Sequence, residues 1–124
     1  MSIQEQINAT LAAVDRFNTA FNKQDADAVM ESMTKDCIFE NTSPAPDGKR
    51  IEGAEAVRAA WENFFAANPD AFFEAEEIFA TPDRCVVRWV YRKTKEGKPW
   101  HLRGVDIFKI KNGKVAEKLA YVKG

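Results

Sequence analysis

The chain has 124 residues, 45% of them hydrophobic and 30% charged, with a formal net charge of -1. That length suits one domain with a real core. The near-neutral balance leaves no electrostatic footprint for nucleic acid or an anionic membrane, and no run approaches the ~18 apolar residues of a membrane span.

The opening "MSIQEQ" lacks the basic-then-apolar order of a signal peptide. Cys37 and Cys85 have neither metal-ligand spacing nor the density of a secreted disulfide scaffold. A cytoplasmic protein with two reduced, packed thiols is the expectation. In chain order, "SIQE" is a capping-box pattern, with Ser2 as N-cap and Glu5 reaching back. Ile3, Ile7, Leu11, Val14 and Phe21 then recur at three- and four-residue steps, the stripe of an amphipathic helix. "NKQDAD" ends it, and Asp25 is a good N-cap for a shorter second helix carrying Val29, Met30 and Met33. "DCIFEN" (36–41) reads as a strand and "TSPAPDGKR" as a loop. A third helix starts near Ala54, places Val57, Trp61, Phe64 and Phe65 on one side, and stops before Pro69.

Beyond Pro69 the period changes from 3.6 to 2. "FFEAEEIFA", "CVVRWVYRK", "WHLRGVDIFKI" and "KVAEKLAYV" are predicted strands joined by the turns "TPDR", "TKEGK" and "KNG". Helices followed by an antiparallel meander make an α+β fold, with a curved sheet closing over a helical face. The alternation is loose, which suggests that the outer sheet face is partly covered, by a second subunit for instance. The acidic "EAEE" and basic "RKTKEGK" runs read as solvated faces and turn tips.

Three stretches, "VDRFNTAFNKQDADAVMESMTKDCIFEN", "GAEAVRAAWENFF" and "GVDIFKIKNGKVAEK", resemble the nuclear-transport-factor-2-like (NTF2-like) superfamily, in its SnoaL-like and ketosteroid-isomerase-like branches. The resemblance implies one SnoaL-like domain over residues 1–124. Its fold would be a cone of three N-terminal helices packed on a strongly curved antiparallel sheet that encloses one pocket. It also implies a homodimer through the outer sheet face. Fold alone does not give the reaction. In ketosteroid isomerases a base aspartate works with an oxyanion hole of a tyrosine and a protonated aspartate. Matched on these stretches, the oxyanion aspartate falls on Asp106, the tyrosine on Phe17 and the base on Asn41. The epoxide-hydrolase pattern falls on Phe39, Asn41, Trp89, Val87 and Ala120 and keeps only the Asn; the cyclase base falls near Ala120.

What stays is a candidate pocket with one carboxylate and one amide. Asp106 is the expected acid–base group and Asn41 the expected hydrogen-bonding orienter. Phe17, Phe39, Trp61, Phe65, Val87, Trp89, Tyr91, Phe108, Lys118 and Ala120 are the expected surroundings. Mostly apolar walls with few polar groups are the usual makeup of a small-ligand site. Burial should raise the Asp106 pKa. Lys118 would oppose this if "KNG" closes as a three-residue bulged loop, and would point away if "NG" closes as a two-residue turn. His101 and Arg103 alternate away from Asp106, and Glu40 should point out of the cone. The expected activity is cofactor-free and metal-free isomerase- or lyase-like acid–base chemistry on a small apolar carbonyl compound. Its alternative is a non-catalytic binder of a small hydrophobic ligand.

Overall fold

The computed structural model describes all 124 residues. Helix α1 (Ile3–Asn22) begins at the predicted capping box: the Glu5 N–H donates to Ser2 Oγ at 3.0 Å, and the Ser2 N–H donates to Glu5 Oε1 at 3.2 Å. Helix α2 (Ala26–Glu31) starts where the Ala28 N–H donates to the Asp25 side chain at 3.1 Å. Strand β1 (Met33–Glu40) begins three residues earlier than the sequence suggests. Starting at the last residue of the segment read as loop, Arg50–Glu52 forms a short strand β2 that pairs antiparallel with β1. Helix α3 (Ala54–Ala67) precedes strands β3 (Phe72–Ala80), β4 (Arg84–Lys95), β5 (Lys98–Lys111) and β6 (Lys114–Val122). None of the helices is long and apolar enough to cross a membrane.

The six strands form one sheet in the order β2-β1-β6-β5-β4-β3. Hairpins fix β3 to β6 as antiparallel neighbours, as expected. β1 lies parallel to β6, so the sheet is mixed. A helix and four more strands separate β1 from β6 in the chain, and a connection of that length imposes no antiparallel return. The arrangement is α+β, a curved and unclosed sheet with its concave face on α1 and α3.

Aromatic rings fill that face. Phe17 is fully buried, with ring centroids 5.4 Å from both Trp61 and Phe108; Phe21 meets Phe65 at 4.9 Å. Cys37 and Cys85 are buried free thiols in the same core, and burial pushes the Cys85 thiol up to about 11. The far end of α1 is held to the sheet by one amide. Asn22 Nδ2 donates to the Phe73 carbonyl and Asn22 Oδ1 accepts from the Phe73 N–H, each at 2.9 Å. This clamp makes edge strand β3 one wall of a space beneath the helix.

The last hairpin decides which side chains face inward. Asn112 and Gly113 have φ of 53° and 74°, the positive pair that a two-residue type I′ turn requires, and Lys111 pairs with Lys114. Next, Ile110 pairs with Val115 but Lys109 pairs with Glu117, so Ala116 is an extra, bulged residue. The tight turn alone would send Lys118 outward, and the bulge turns it back in.

Replacing Asn22 with Ala removes both clamp bonds. At about 0.5–1.5 kcal/mol net per bond, a loss of about 1–3 kcal/mol is expected in urea-monitored unfolding.

Candidate functional site

Asp106 sits mid-way along β5, between Val87 of β4 and Ala120 of β6. Lys118 is one step away on the diagonal, opposite Phe108 on the same face. The two are almost fully buried, at 5% and 6% exposure, with Lys118 Nζ 3.7 Å from Asp106 Oδ2. That spacing makes an ion pair but is too long for a hydrogen bond. Burial pushes the Asp106 carboxyl up, and Lys118 only partly offsets the rise. Burial likewise pushes the Lys118 ammonium down, and Asp106 only partly restores it. Both groups are driven toward neutrality because desolvation exceeds their mutual attraction.

Two hollows meet at this pair. The first is a cavity of about 270 Å³ walled by Phe39, Trp61, Phe64, Trp89 and Tyr91, with Asn41, Thr42 and Ser43 at its polar side. The second is a more capacious cleft, about 610 Å³, between Asn18 and Asn22 of α1 and Phe73, Ala75 and Ile78 of β3. Phe21, Phe73, Trp89, Asp106 and Lys118 border both. The cleft exists because β3 stands off from α1 beyond the Asn22 clamp. Ile78 pairs with inward-facing Val87 and yet is 46% exposed.

The predicted residues divide between these spaces and the core behind them. Asp106, Lys118, Asn41, Phe39, Trp61, Trp89, Tyr91 and Ala120 border the ring-walled cavity, whereas Val87 borders only the cleft. Phe17, Phe65 and Phe108 border neither; they are core packing behind the walls. Asn41 lies just beyond the end of β1. Its Oδ1 accepts from the Lys49 N–H at 2.7 Å, so half of its amide already closes the 41–49 loop. Glu40 pairs with Arg50 on the outside at 2.8 Å. Arg103 points the same way and pairs with Glu76.

Three polar atoms of the cavity walls are left without partners: Trp61 Nε1, Trp89 Nε1 and the Tyr91 hydroxyl. Buried donors of this kind are nearly always satisfied, so three of them on residues that line one cavity are a departure from ordinary core packing. Trp89 Nε1 also faces Asp106 closely enough to temper its raised pKa without closing a hydrogen bond. The sequence suggests these side chains as walls; their unused donors follow from placement alone. Trp89 owes its position to Gly104, its cross-strand partner. A Cβ at 104 would stand 2.4 Å from the indole Cη2 and 2.4 Å from the Tyr121 carbonyl oxygen. Only glycine lets the indole lie against the β5 backbone. Nowhere do three His, Cys, Asp or Glu side chains gather as metal ligands would.

Comparison with known proteins agrees with this architecture. The SnoaL-like domain family matches residues 14–118. An NTF2-like protein of unknown function from Mesorhizobium loti superposes with a TM-score of 0.82 at 34% identity, covering 96% of this chain and 94% of the other. A candidate SnoaL-like polyketide cyclase from Jannaschia is similar in fold, with a TM-score of 0.81 at 19% identity over 94% and 87% of the two chains. A computationally designed 17-OHP binder gives 0.78 at 22% identity over 94% and 92%. No curated protein matches the sequence.

The pair's cost should be measurable. Asp106→Leu alone strands a buried ammonium and is expected to cost about 3–5 kcal/mol; adding Lys118→Met should recover that loss and up to about 1–4 kcal/mol more. The pH dependence has a definite sign. Asp106, raised in the folded state, contributes stability that is present below its unfolded ~3.9 and lost as pH rises through the folded value. Lys118, lowered in the folded state, contributes stability that is present above its unfolded ~10.4 and lost as pH falls through the folded value. The double variant's advantage over wild type should therefore be greatest at mid-range pH and shrink toward both extremes, as read by chemical denaturation across pH.

Proposed function

Because the chain belongs to the SnoaL-like domain family, we propose that it is a small-molecule pocket protein that moves a proton on a compact, mostly apolar carbonyl compound. The observation that carries this reading is a buried carboxyl on a cavity whose lining residues Trp61, Trp89 and Tyr91 each hold a buried donor, Nε1, Nε1 and OH, without a partner. A carbonyl oxygen is the acceptor those donors lack. Asp106 takes a proton from the carbon next to the carbonyl and returns it elsewhere on the molecule. The donors hold the oxygen as negative charge gathers there. The free Nδ2 of Asn41 fixes the substrate at the mouth. A volume of about 270 Å³ falls just below the usual ~300–1,000 Å³ of ligand pockets, which favours a compact substrate.

A second reading is a non-catalytic binder of a small hydrophobic ligand. It is favoured by Asn41 and Phe17 at the positions where a base and an oxyanion tyrosine would be expected. The designed 17-OHP binder supports it too, since that protein uses the same fold for binding. Asp106→Asn separates the two readings. Under the enzyme reading, turnover of a small ketone falls by about 10²–10⁴-fold while binding, followed through the Trp61 and Trp89 indole N–H resonances, persists. Under the binder reading there is no turnover to lose.

Assembly is proposed as a homodimer through the outer sheet face. Cross-strand pairing lines up Phe79, Val86, Ile107 and Leu119 as one apolar row there, and Phe79 is 55% exposed. Tyr121, 53% exposed, extends the patch beside Val105. Contiguous exposed apolar surface of this kind is what an isologous dimer covers. Ile107→Glu should convert the dimer to a folded monomer, as read by light scattering after gel filtration; an unchanged mass would remove this face as the contact.

A further inference from the structure

Lys118 is the only buried lysine. Its Nζ lies 4.4 Å from the centroid of the Phe21 ring and within 5.8 Å of the rings of Phe17, Phe39, Trp61 and Phe73. A lysine kept only for its charge would be expected to meet its carboxylate at hydrogen-bonding distance, but this one stops at 3.7 Å. The amine borders both the ring-walled cavity and the cleft, so a ligand in either space reaches it.

We infer that Lys118 is a nucleophile that forms an imine with an aldehyde or ketone held in the ring-walled cavity, with Asp106 carrying the protons. This rests on the carbonyl-substrate reading above and goes past it, because there Asp106 acts alone. The amine nitrogen donates its lone pair to the carbonyl carbon, a C–N bond forms, and the C=O π pair moves to oxygen. Asp106 relays the proton that nitrogen sheds to that oxygen, giving a carbinolamine. A second proton from Asp106 lets the C–O bond break, and the hydroxyl leaves as water. The nitrogen lone pair closes the C=N bond, giving a protonated imine beside the Asp106 carboxylate, and passing its N–H proton back to that carboxylate gives the neutral imine. One amine and one carbonyl become one imine and one water, with nothing oxidised or reduced.

Two features of the site suit this chemistry. A lysine in an apolar pocket loses its charge readily and so offers a lone pair near neutral pH, and burial pushes Lys118 in that direction. A protonated imine also withdraws electrons from the neighbouring carbon. It thereby does the work of the oxyanion tyrosine whose expected position holds Phe17. With the carbonyl compound on the cavity side, the released water has the cleft as its way out.

The test uses the wild-type chain with hexanal as probe and sodium cyanoborohydride as reductant, and peptide mapping by mass spectrometry to locate the alkylated lysines. Lys118 should be labelled at least about tenfold faster than exposed Lys35, despite its burial. Asp106→Asn should slow labelling of Lys118 and leave Lys35 unchanged. Binding is read in parallel from the Trp61 and Trp89 indole resonances with cyclohexanone. If those resonances shift but Lys118 is labelled no faster than Lys35, the imine is overturned and the pocket reading stands. If the resonances do not move and Lys118 is not preferred, both readings fall.

Discussion

The site depends on two opposite charges buried side by side with too few hydrogen bonds to reward them. Asp106 and Lys118 are each almost closed off from solvent, and the 3.7 Å between them leaves both partly unsatisfied. Taking a carboxylate and an ammonium out of water costs several kcal/mol per ion, more than an ion pair of this geometry returns. The rings around them intensify the effect by excluding water while adding only the weak attraction of π faces for the ammonium. The fold therefore holds an acid and a base poised to exchange a proton. A purely structural core would be steadier with two hydrocarbons in their place.

Backbone features keep that pair in position. Asp106 is fixed by β5, which runs between two long antiparallel neighbours. Lys118 reaches the same face only through the bulge at Ala116. The Asn22 clamp holds α1 to β3 on one side of the pair, and the loop closed by Asn41 and Lys49 bounds the mouth on the other. Outside, Glu74, Glu76 and Glu77 pair with Arg88, Arg92 and Arg103, a lattice of exposed ion pairs. Such pairs add little stability singly, but they make the solvated part of the sheet polar and leave the Phe79–Leu119 row as its apolar strip.

Much of the frame was legible in the sequence. The Ser2 capping box, the Asp25 cap and the change from helical to strand period all depend on near neighbours in the chain. The three helices and β3 to β6 lie where those signals put them, whereas Met33, read onto the second helix, opens β1 instead. β2 escaped notice because three residues have no period to read and are defined by their pairing with β1. The β1–β6 pair escaped for a related reason, since parallel neighbours leave no turn between them. Lys118 is the instructive case. The sequence leaves a three-residue bulged loop and a two-residue Asn-Gly turn both open; the structure takes the two-residue turn, which alone would have placed the lysine outside. A bulge at an unremarkable alanine reversed the outcome, because it answers to packing across the sheet and has no local sequence signal. Likewise Phe17, Phe65 and Phe108 share the composition of the cavity walls. Only three-dimensional placement separates rings that face a void from rings that fill the core.

Gly104 ties cavity shape to a single missing carbon. The Trp89 indole rests where a β-carbon at 104 would be, and the same ring borders both hollows and turns its N–H toward Asp106. Positions 89 and 104 thus form one unit. A chain with a side chain at 104 would have to swing the indole into the void or replace it with something smaller. Either change resizes both chambers at once and takes a donor away from the acid. Among relatives of this protein, pocket capacity and acid strength would then drift together, governed by a residue that has no functional group of its own.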